Sequence, residues 1–346
     1  MHKFVRNLIT EWRRLELQVA GATVVVGVSG GADSVSLLLG MYELVQLKKL
    51  DLRVVAAHFN HGLRDGESDG DEQFVKDLTA ERKIECATGR AGTFDSGNVE
   101  QNARVARYEF LNKIAEGVDA FAIATGHTIN DQAETFLMNL VRGSGREGLC
   151  GMKSVRPIQE EIPSRADGCD DLSDDSDAAP SLFPLSRFLV RPLLGWAKRE
   201  HTEQYCHDNS IEYRYDTMNE DTALRRVRIR KVLLPVLEDM NPKIIETLAN
   251  TAMLMQNLEM TRNHLPSADE LILSEIKTLP KPDMYAAIRS WLRQHRGSTR
   301  RLQLKHIQAI ERLVFSEKSG RIVELPGGKV VKTGGKLLYD ENKVEN

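Results

Sequence analysis

The sequence has few cysteines, no long apolar run and no large excess of one charge sign. Its four cysteines, Cys86, Cys150, Cys169 and Cys206, form no CxxC pair and no metal-binding spacing with histidine. We therefore expect free thiols in a reducing compartment rather than a disulfide framework or a zinc site. No stretch approaches the roughly 18 apolar residues of a spanning helix, and the N-terminus is charged and amphipathic, unlike a signal peptide. These absences predict a cytoplasmic protein with no membrane partner.

The composition is that of a folded chain with more than one domain. With 346 residues, 41% of them hydrophobic and 28% charged, the chain is too long for one typical core. Residues 158–180 hold eight acidic residues and one basic one, which leaves 46 Lys and Arg against 42 Asp and Glu elsewhere. That balance permits a nucleic-acid partner without requiring one. We expect residues 158–187 to form a poorly ordered acidic surface insertion, and an acidic regulatory arm is the alternative.

Alternating strand and helix patterns predict an α/β fold. Short β-branched runs predict strands at 22–28, 52–59, 84–89 and 119–126, and apolar spacing predicts helices at 35–47, 71–83, 99–116 and 130–141. Four such units predict a doubly wound, Rossmann-like parallel sheet with helices on both faces. Ligands of such a sheet bind beyond the carboxyl ends of its strands, so the loops after the first, second and fourth strands are the candidate site.

The C-terminal region has a different character. Apolar spacing predicts helices within 224–240, 242–265, 267–279, 281–295 and 302–316, and alternating residues around two Gly-Gly pairs predict hairpins within 321–340. We therefore place a boundary near Met218. It separates a catalytic domain, residues 1–218, from a mainly helical domain, residues 219–346, that ends in a small β element.

A glycine-rich turn after the first strand carries the strongest chemical signal. Residues 29–34 have the sequence SGGADS. Gly30 and Gly31 let backbone amides approach an anion closely, and Ser29 and Ser34 add hydroxyl groups at the start of a helix. The turn lacks the lysine of a GxxxxGK[ST] loop and does not match GxGxxG. The structural alternative is an ordinary strand-to-helix turn in which Asp33 caps the helix.

This turn resembles the PP-loop of the N-type ATP pyrophosphatases, which holds the pyrophosphate that leaves ATP. Further stretches resemble the tRNA(Ile)-lysidine synthases: AAHFNHGLR at 56–64, ARVARYEFL at 103–111, the long match at 124–152, LVRPLL at 189–194 and the arginine-rich segment at 216–230. Asn130 departs from the family pattern, which has an acidic residue there. Val227 and residues 217–219 follow the pattern more loosely.

The resemblance implies an ATP-dependent, AMP-forming ligase that joins free L-lysine to carbon 2 of the wobble cytidine in the CAU anticodon of tRNA(Ile). ATP first adenylates the base, and the ε-amine of lysine then displaces AMP. The implied cofactors are ATP and Mg²⁺, and the implied partner is that tRNA. A second copy of the chain, in a homodimer, is a further possible partner.

The resemblance also implies roles for individual residues. Asp33, His127 and Asp131 are expected to be catalytic, and Asp33 and Asp131 are also the expected Mg²⁺ ligands. The residues expected to bind ATP are Ser29, Gly30, Gly31, Ala32, Asp33, Ser34 and Gly126. Those expected to flank the base or the lysine are His61, Arg64, Arg104 and Arg107. Those expected to contact tRNA are Arg142, Arg146, Arg225, Arg226, Arg228 and Arg230.

Each assignment has an alternative. His127 could cap a helix, Glu134 could be a surface charge, and the arginines of residues 225–230 could form a solvated helix face. A tRNA thiolase, which uses the same adenylation with sulfur as the nucleophile, is the alternative enzyme, although the scattered cysteines argue against it. A nucleotide- or RNA-binding module without turnover is the alternative outside the enzymes.

Overall fold

The structure is a computed structural model that falls into two compact units. It describes residues 1–17, 19–62, 66–91, 99–158, 187–215, 220–222, 224–260, 271–296, 302–318 and 320–341. The first unit comprises Met1–Met138 and Gly151–Ala252, and the second comprises Asn139–Cys150 and Met253–Asn346. Arg64, Cys169 and almost all of the acidic insertion lie outside the described residues.

The first unit is built on a six-stranded sheet. Its order is β3-β2-β1-β4-β6-β5, and all pairings are parallel except that of β5 with β6. The strands are β1 Ala22–Gly27, β2 Leu52–Asn60, β3 Glu85–Arg90, β4 Ala120–Thr125, β5 Val155–Pro157 and β6 Phe188–Val190. The predicted doubly wound sheet is confirmed. Strands β5 and β6 were not predicted, because three residues are too few to show an alternating pattern.

Helices cover both faces of this sheet, which follows from the burial of successive β1 residues. Val24 and Val26 pack with α1 and α2, whereas Val25 packs with α4 on the other face. The helices are α1 Lys3–Arg14, α2 Ala32–Gln46, α3 Gly66–Glu81, α4 Val99–Gly117, α5 Ile129–Val141 and α7 Arg199–Asp208. A strand that is apolar on both faces is typical of a parallel sheet between two helical layers.

The next helices belong to the same unit, although the last of them continues beyond Ala252, where the first unit ends. They are α8 Arg225–Arg228, a π-helical turn Ile229–Leu233, α9 Leu234–Met240 and α10 Ile244–Met260. Ile229, Leu234 and Ile245 form one buried cluster with Ile129 and Leu137 of α5. This apolar contact draws residues 224–252 into the first unit, so the predicted boundary near Met218 does not coincide with the division into compact units.

The second unit combines short helices with an antiparallel sheet of order β7-β10-β9-β8. Its elements are α6 Arg146–Leu149, β7 Leu271–Ile272, α11 Leu273–Ile276, α12 Lys281–Arg296, α13 Leu304–Phe315, β8 Ile322–Leu325, β9 Gly328–Thr333 and β10 Lys336–Glu341. The predicted terminal hairpins are confirmed, and the Gly-Gly pairs supply positive φ angles at Gly327, Gly334 and Gly335. The helix predicted across 267–279 is wrong at Leu271 and Ile272, which pair with β10 instead.

None of the helices in the described ranges combines the length and the apolar character that a membrane span needs. In the first unit, strand order reverses at β1, because β2 lies on one side of it and β4 on the other. The loops that leave β1 and β4 therefore diverge around a crevice, which is where doubly wound sheets bind ligands.

Gly126 fixes how closely these two loops approach. A Cβ atom at Gly126 would lie 2.7 Å from the Asp33 carbonyl oxygen and 2.9 Å from the Ser34 nitrogen. Both are backbone atoms, so neither can rotate away, and only glycine allows this contact.

We expect Gly126→Ala to lower the free energy of unfolding by about 1 to 3 kcal/mol, the usual range for overpacking. Gly117→Ala is the matched control, because Gly117 is the exposed last residue of α4 and a Cβ there meets nothing within 4 Å. That control should be neutral or stabilising by up to about 1 kcal/mol. Urea unfolding measures both variants, and equal stability of the two would contradict the loop contact.

Candidate active site

The glycine-rich turn has the geometry of an anion site. Gly30 has a φ of +95°, and Gly31 is the N-cap of α2 without any side-chain cap. The first N–H groups of α2 therefore meet no capping side chain, and the positive end of the helix faces the same space. Ser29 N donates to Ser34 Oγ at 3.1 Å, and Ser34 Oγ donates to the Gly31 carbonyl at 3.0 Å. These bonds hold the turn closed on itself.

Asp33 is the second residue of α2 and does not cap it, contrary to the structural alternative. Its carboxylate contacts α7, where Thr202 Oγ1 lies 2.5 Å from Asp33 Oδ1 and Arg199 Nε lies 3.7 Å from Asp33 Oδ2. Burial and the nearby charge of Asp131 raise the pKa of Asp33 to about 6. Thr202 Oγ1 is also 2.7 Å from the Arg199 carbonyl. The hydrogen bond donated by Thr202 and the charge of Arg199 lower the pKa of Asp33, but burial and Asp131 outweigh them.

Asp131 and Glu134 lie on the first turns of α5. Thr128 donates to Asp131 Oδ2 from its nitrogen at 2.8 Å and from its hydroxyl at 3.0 Å. Arg199 Nη2 donates to Asp131 Oδ1 at 2.9 Å, and Arg199 Nη1 donates to Glu134 Oε1 at 3.0 Å. One guanidinium thus contacts carboxylates from both loops of the crevice.

Two further arginines complete the cluster around Glu134, whose side chain is fully buried. Arg226 Nε donates to Glu134 Oε2 at 2.8 Å, and Arg230 Nε donates to Glu134 Oε1 at 2.7 Å. The reading of Glu134 as a surface charge is therefore wrong. Burial raises the pKa values of Asp131 and Glu134, but the arginines and hydrogen bonds outweigh it and the net pKa of each carboxyl is lowered. Both are ionised at neutral pH.

Three features of this network do not follow from the sequence patterns: Arg199, Thr202 and the buried role of Glu134. A signal was present, because two acidic residues three positions apart in an otherwise apolar helix face need cations when they are buried. Nothing in the sequence indicated which cations would supply them. Asn130 Oδ1 accepts the backbone N–H of Arg199 at 3.1 Å, so this departure from the family pattern helps to anchor α7.

His127 follows β4 and lies among positive charges. Its Nδ1 is 2.9 Å from the Thr125 hydroxyl. Burial, followed by the charges of Arg191, Arg107, Arg226 and Arg104, lowers the pKa of His127 well below its ordinary value. The imidazole is therefore neutral at pH 7 and can accept a proton or a hydrogen bond, but it does not supply a standing positive charge.

The remaining predicted residues lie in several places. Arg104 and Arg107 lie on α4 over the Tyr108 ring, at 5.2 and 5.3 Å from its centroid. The His61 ring packs edge-on against Phe59 at the end of β2, with centroids 5.0 Å apart. Arg225 and Arg228 are exposed, and Arg142 and Arg146 belong to the second unit.

The network decides which carboxylate could hold Mg²⁺. Asp131 does not fit, because Thr128 occupies one oxygen and Arg199 and Arg226 occupy the other. Asp33 fits better, since among the described residues its Oδ2 has the Arg199 contact at 3.7 Å alone, and one carboxylate plus substrate phosphates is a common Mg²⁺ set. Within the described ranges, no group of three His, Cys, Asp or Glu residues could hold a metal by itself.

A sequence model described as the PP-loop domain matches residues 5–237. The chain belongs to this PP-loop family. Membership in this family explains the glycine-rich turn at the carboxyl end of β1. It identifies the first unit as an ATP-binding PP-loop domain.

Within the family, the chain is similar to curated proteins named tRNA(Ile)-lysidine synthase. It is 32% identical to the one from Solibacter usitatus over 321 residues, which covers 89% of this chain and 65% of that protein. It is 33% identical to the one from Geobacter sulfurreducens, over 88% of this chain and 62% of that protein. It is 37% identical to the one from Bacillus cereus, over 69% of this chain and 45% of that protein. The chain thus spans between about half and two thirds of these relatives.

Among solved structures, the chain is similar to the U34-tRNA thiolase NcsA from Methanococcus maripaludis with its [4Fe-4S] cluster. The TM-score is 0.55 at 16% sequence identity, and the match covers 76% of this chain and 81% of that chain. At this identity the similarity shows the shared PP-loop fold alone.

The raised pKa of Asp33 has a consequence for stability. A carboxyl whose pKa is higher in the folded state stabilises folding below its unfolded pKa and loses that contribution as pH rises through the folded value. The contribution of Asp33 to the free energy of unfolding is therefore lost between about pH 4 and its folded pKa of about 6. We therefore expect Asp33→Asn to match the wild type in stability near pH 4 and to exceed it at pH 7.5, by up to roughly 3 kcal/mol.

Asp131→Asn is the matched control with the opposite sign. The lowered pKa of Asp131 stabilises folding at neutral pH and loses that effect as pH falls, so this variant should be less stable than the wild type at pH 7.5. Urea unfolding across this pH range measures both. Loss of stability in Asp33→Asn at pH 7.5, as in Asp131→Asn, would contradict the assignment.

Proposed function

We propose that this chain is a tRNA(Ile)-lysidine synthase, which uses ATP to join free L-lysine to carbon 2 of the wobble cytidine in the CAU anticodon of tRNA(Ile). The observation that carries the proposal is the SGGADS turn at the switch point of a PP-loop sheet, in a chain whose curated relatives bear that name. The products are lysidine, AMP and pyrophosphate.

In this proposal the turn binds the β- and γ-phosphates of ATP. The uncapped N-terminus of α2 and the amides of Gly30 and Gly31 suit a leaving pyrophosphate. Binding of the pyrophosphate group favours attack by the C2 oxygen of cytidine on the α-phosphate. Transfer of AMP to that oxygen makes it a good leaving group. Mg²⁺, held by Asp33, would screen the phosphate charge.

Residues outside the turn are proposed to bind the cytidine and the lysine. Arg104 and Arg107 are held near Tyr108 and, with His61 and Arg64, are proposed to flank the base or the lysine. Neutral His127 is proposed as a hydrogen-bond acceptor or base, because its surrounding arginines would resist a positively charged form. The role of Asp131 is to hold Arg199 and Arg226 rather than a metal.

The predicted tRNA-binding arginines divide into three pairs. Arg225 and Arg228 are exposed and suit contacts with a phosphate backbone. Arg226 and Arg230 donate to Glu134, so we propose that their role is to shape the site. Arg142 and Arg146, in the second unit, remain proposed tRNA contacts.

The thiolase alternative is weakened by the cysteines. Cys206 is the cysteine beside the turn, with its Sγ 3.9 Å from the Ala32 carbonyl. Burial and the charge of Asp33 raise the pKa of Cys206 to about 12, which leaves an unreactive thiol rather than a nucleophilic thiolate. Cys150 is also buried, and Cys86 lies on β3.

Lysine incorporation tests the proposal directly. The purified chain, ATP and a tRNA(Ile) transcript with a CAU anticodon should incorporate radiolabelled lysine and release AMP and pyrophosphate in equal amounts. Replacing all four cysteines with serine should leave this activity in place. A chain that binds nucleotide but incorporates no lysine would be a binding module. A chain that instead transfers sulfur to the tRNA, and loses that activity in the serine variant, would be a thiolase.

The division of the arginines makes a separate prediction. Arg225→Ala/Arg228→Ala should weaken tRNA binding and reduce the slope of log K against log salt by up to about 2, since each phosphate contact contributes about 0.9. Its melting temperature should stay unchanged, because both side chains are exposed.

Arg230→Ala is the comparison variant. It leaves part of a buried carboxylate unpaired, so it should lower the free energy of unfolding by roughly 3 kcal/mol or more. Filter binding at several salt concentrations and thermal unfolding measure the two effects. An unchanged salt slope in the double variant would remove Arg225 and Arg228 from the interface.

A further inference from the structure

One stretch of chain, residues 199–214, contacts the glycine-rich turn at three successive points. Thr202 Oγ1 lies 2.5 Å from Asp33 Oδ1, and Cys206 Sγ lies 3.9 Å from the Ala32 carbonyl. Further along the same stretch, Arg214 N donates to the Gly30 carbonyl at 2.9 Å. The turn is thus stabilised by contacts with residues 199–214 as well as by the hydrogen bonds of its own Ser29 and Ser34.

The hydrogen bond from Arg214 N to the Gly30 carbonyl fixes the orientation of the peptide group between Gly30 and Gly31. In a planar trans peptide, the carbonyl of one residue and the N–H of the next point in opposite directions. Fixing the Gly30 carbonyl on Arg214 therefore directs the Gly31 N–H away from Arg214. Gly30 has a φ of +95°, which few other residues adopt without strain. The hydrogen bond from Arg214 stabilises that unusual conformation.

The Arg214 side chain is anchored in turn. Its Nε donates to Asp71 Oδ1 of α3 at 3.1 Å, and the Asp71 side chain is only 9% exposed. The missing side chains of two glycines make room for it: a Cβ at Gly30 would lie 3.4 Å from Arg214 Cγ, and a Cβ at Gly70 would lie 3.2 Å from Arg214 Nη2. The Arg214 side chain therefore reaches from the turn to α3 through space that side chains at residues 30 and 70 would otherwise occupy.

We propose that Arg214 is a positioning residue for the phosphate-binding turn. Its guanidinium, held by Asp71, fixes the chain at residue 214 so that the Arg214 N–H orients the Gly30–Gly31 peptide toward the nucleotide. The inference rests on the proposed role of the turn in binding ATP phosphates. It assigns a specific task to Arg214 and Asp71, two residues from separate elements that do not belong to the turn.

The test is titration of ATP into the full chain by calorimetry, without lysine or tRNA so that no turnover occurs. Arg214→Ala keeps the backbone N–H but loses the anchor, and Asp71→Asn keeps the shape but loses the charge. Each should weaken ATP binding by about tenfold, the usual effect of losing one charge-assisted hydrogen bond. Since both act through one contact, the double variant should be no weaker than either single variant. Arg214→Lys, which retains the stem and the charge, should recover most of the affinity.

Arg53→Ala is the matched control. Arg53 is also an exposed arginine paired with one carboxylate, Glu85, at 2.5 Å, but it lies at the opposite end of β2 from the site. This variant should bind ATP as the wild type does. In the lysine assay, Arg214→Ala should raise the KM for ATP with little change in the KM for lysine, which a general loss of folding would not produce.

The outcomes separate the two claims. If the wild type binds ATP and Arg214→Ala binds it equally well, the positioning role is overturned while the proposed function stands. The same conclusion follows if Arg53→Ala weakens binding as much as Arg214→Ala, or if Arg214→Ala and Asp71→Asn have additive effects. If the wild type itself does not bind ATP, the proposed function fails, and the role of Arg214 fails with it.

Discussion

The arrangement of the crevice depends on one cation, the guanidinium of Arg199. It contacts Asp33 on the first turn of α2, which follows β1, and both Asp131 and Glu134 on the first turns of α5, which follows β4. The backbone at Gly126, after β4, lies against the backbone of Asp33 and Ser34, after β1, and a side-chain connection adds to this contact. Arg199 makes that connection from a third element, α7. The Arg199 contacts from α7 and the backbone contact at Gly126 thus together position α2 relative to α5.

The buried charges around Arg199 are balanced. Three carboxylates, Asp33, Asp131 and Glu134, lie with three arginines, Arg199, Arg226 and Arg230. Buried charges are tolerated when paired and hydrogen-bonded, and an uncompensated one is costly. Asp33 is the least compensated of the carboxylates, with its closest cation at 3.7 Å, and its pKa alone is raised. The carboxylate with the least compensated charge thus belongs to the proposed phosphate-binding turn, and perturbed pKa values of this kind are common at active sites.

Local sequence patterns predict most of the parallel sheet and the glycine-rich turn. They do not predict contacts between residues far apart in sequence. The strands β1 to β4 and the turn at Ser29–Ser34 follow from β-branched runs and glycine spacing, both of which are local signals. Arg199 and Arg214 could not be found in this way. Each acts through a residue far away in sequence, Arg199 on Asp131 and Arg214 on Asp71, and single-sequence patterns carry no information on such pairs. Leu271 and Ile272 show the same limit, since pairing with β10 overrides their helical pattern.

Asn130 shows how a departure from a family pattern can be reconciled with the same architecture. Its side-chain oxygen accepts the Arg199 N–H at the start of α7, a task that needs an acceptor and not a charge. An aspartate there could accept the same bond, and the positive end of α7 would favour its charge. It would also bring a fourth carboxylate close to a network that already balances three against three. The amide therefore retains the anchor for α7 and keeps the charge balance, so the substitution at residue 130 removes no carboxylate on which Arg199 depends.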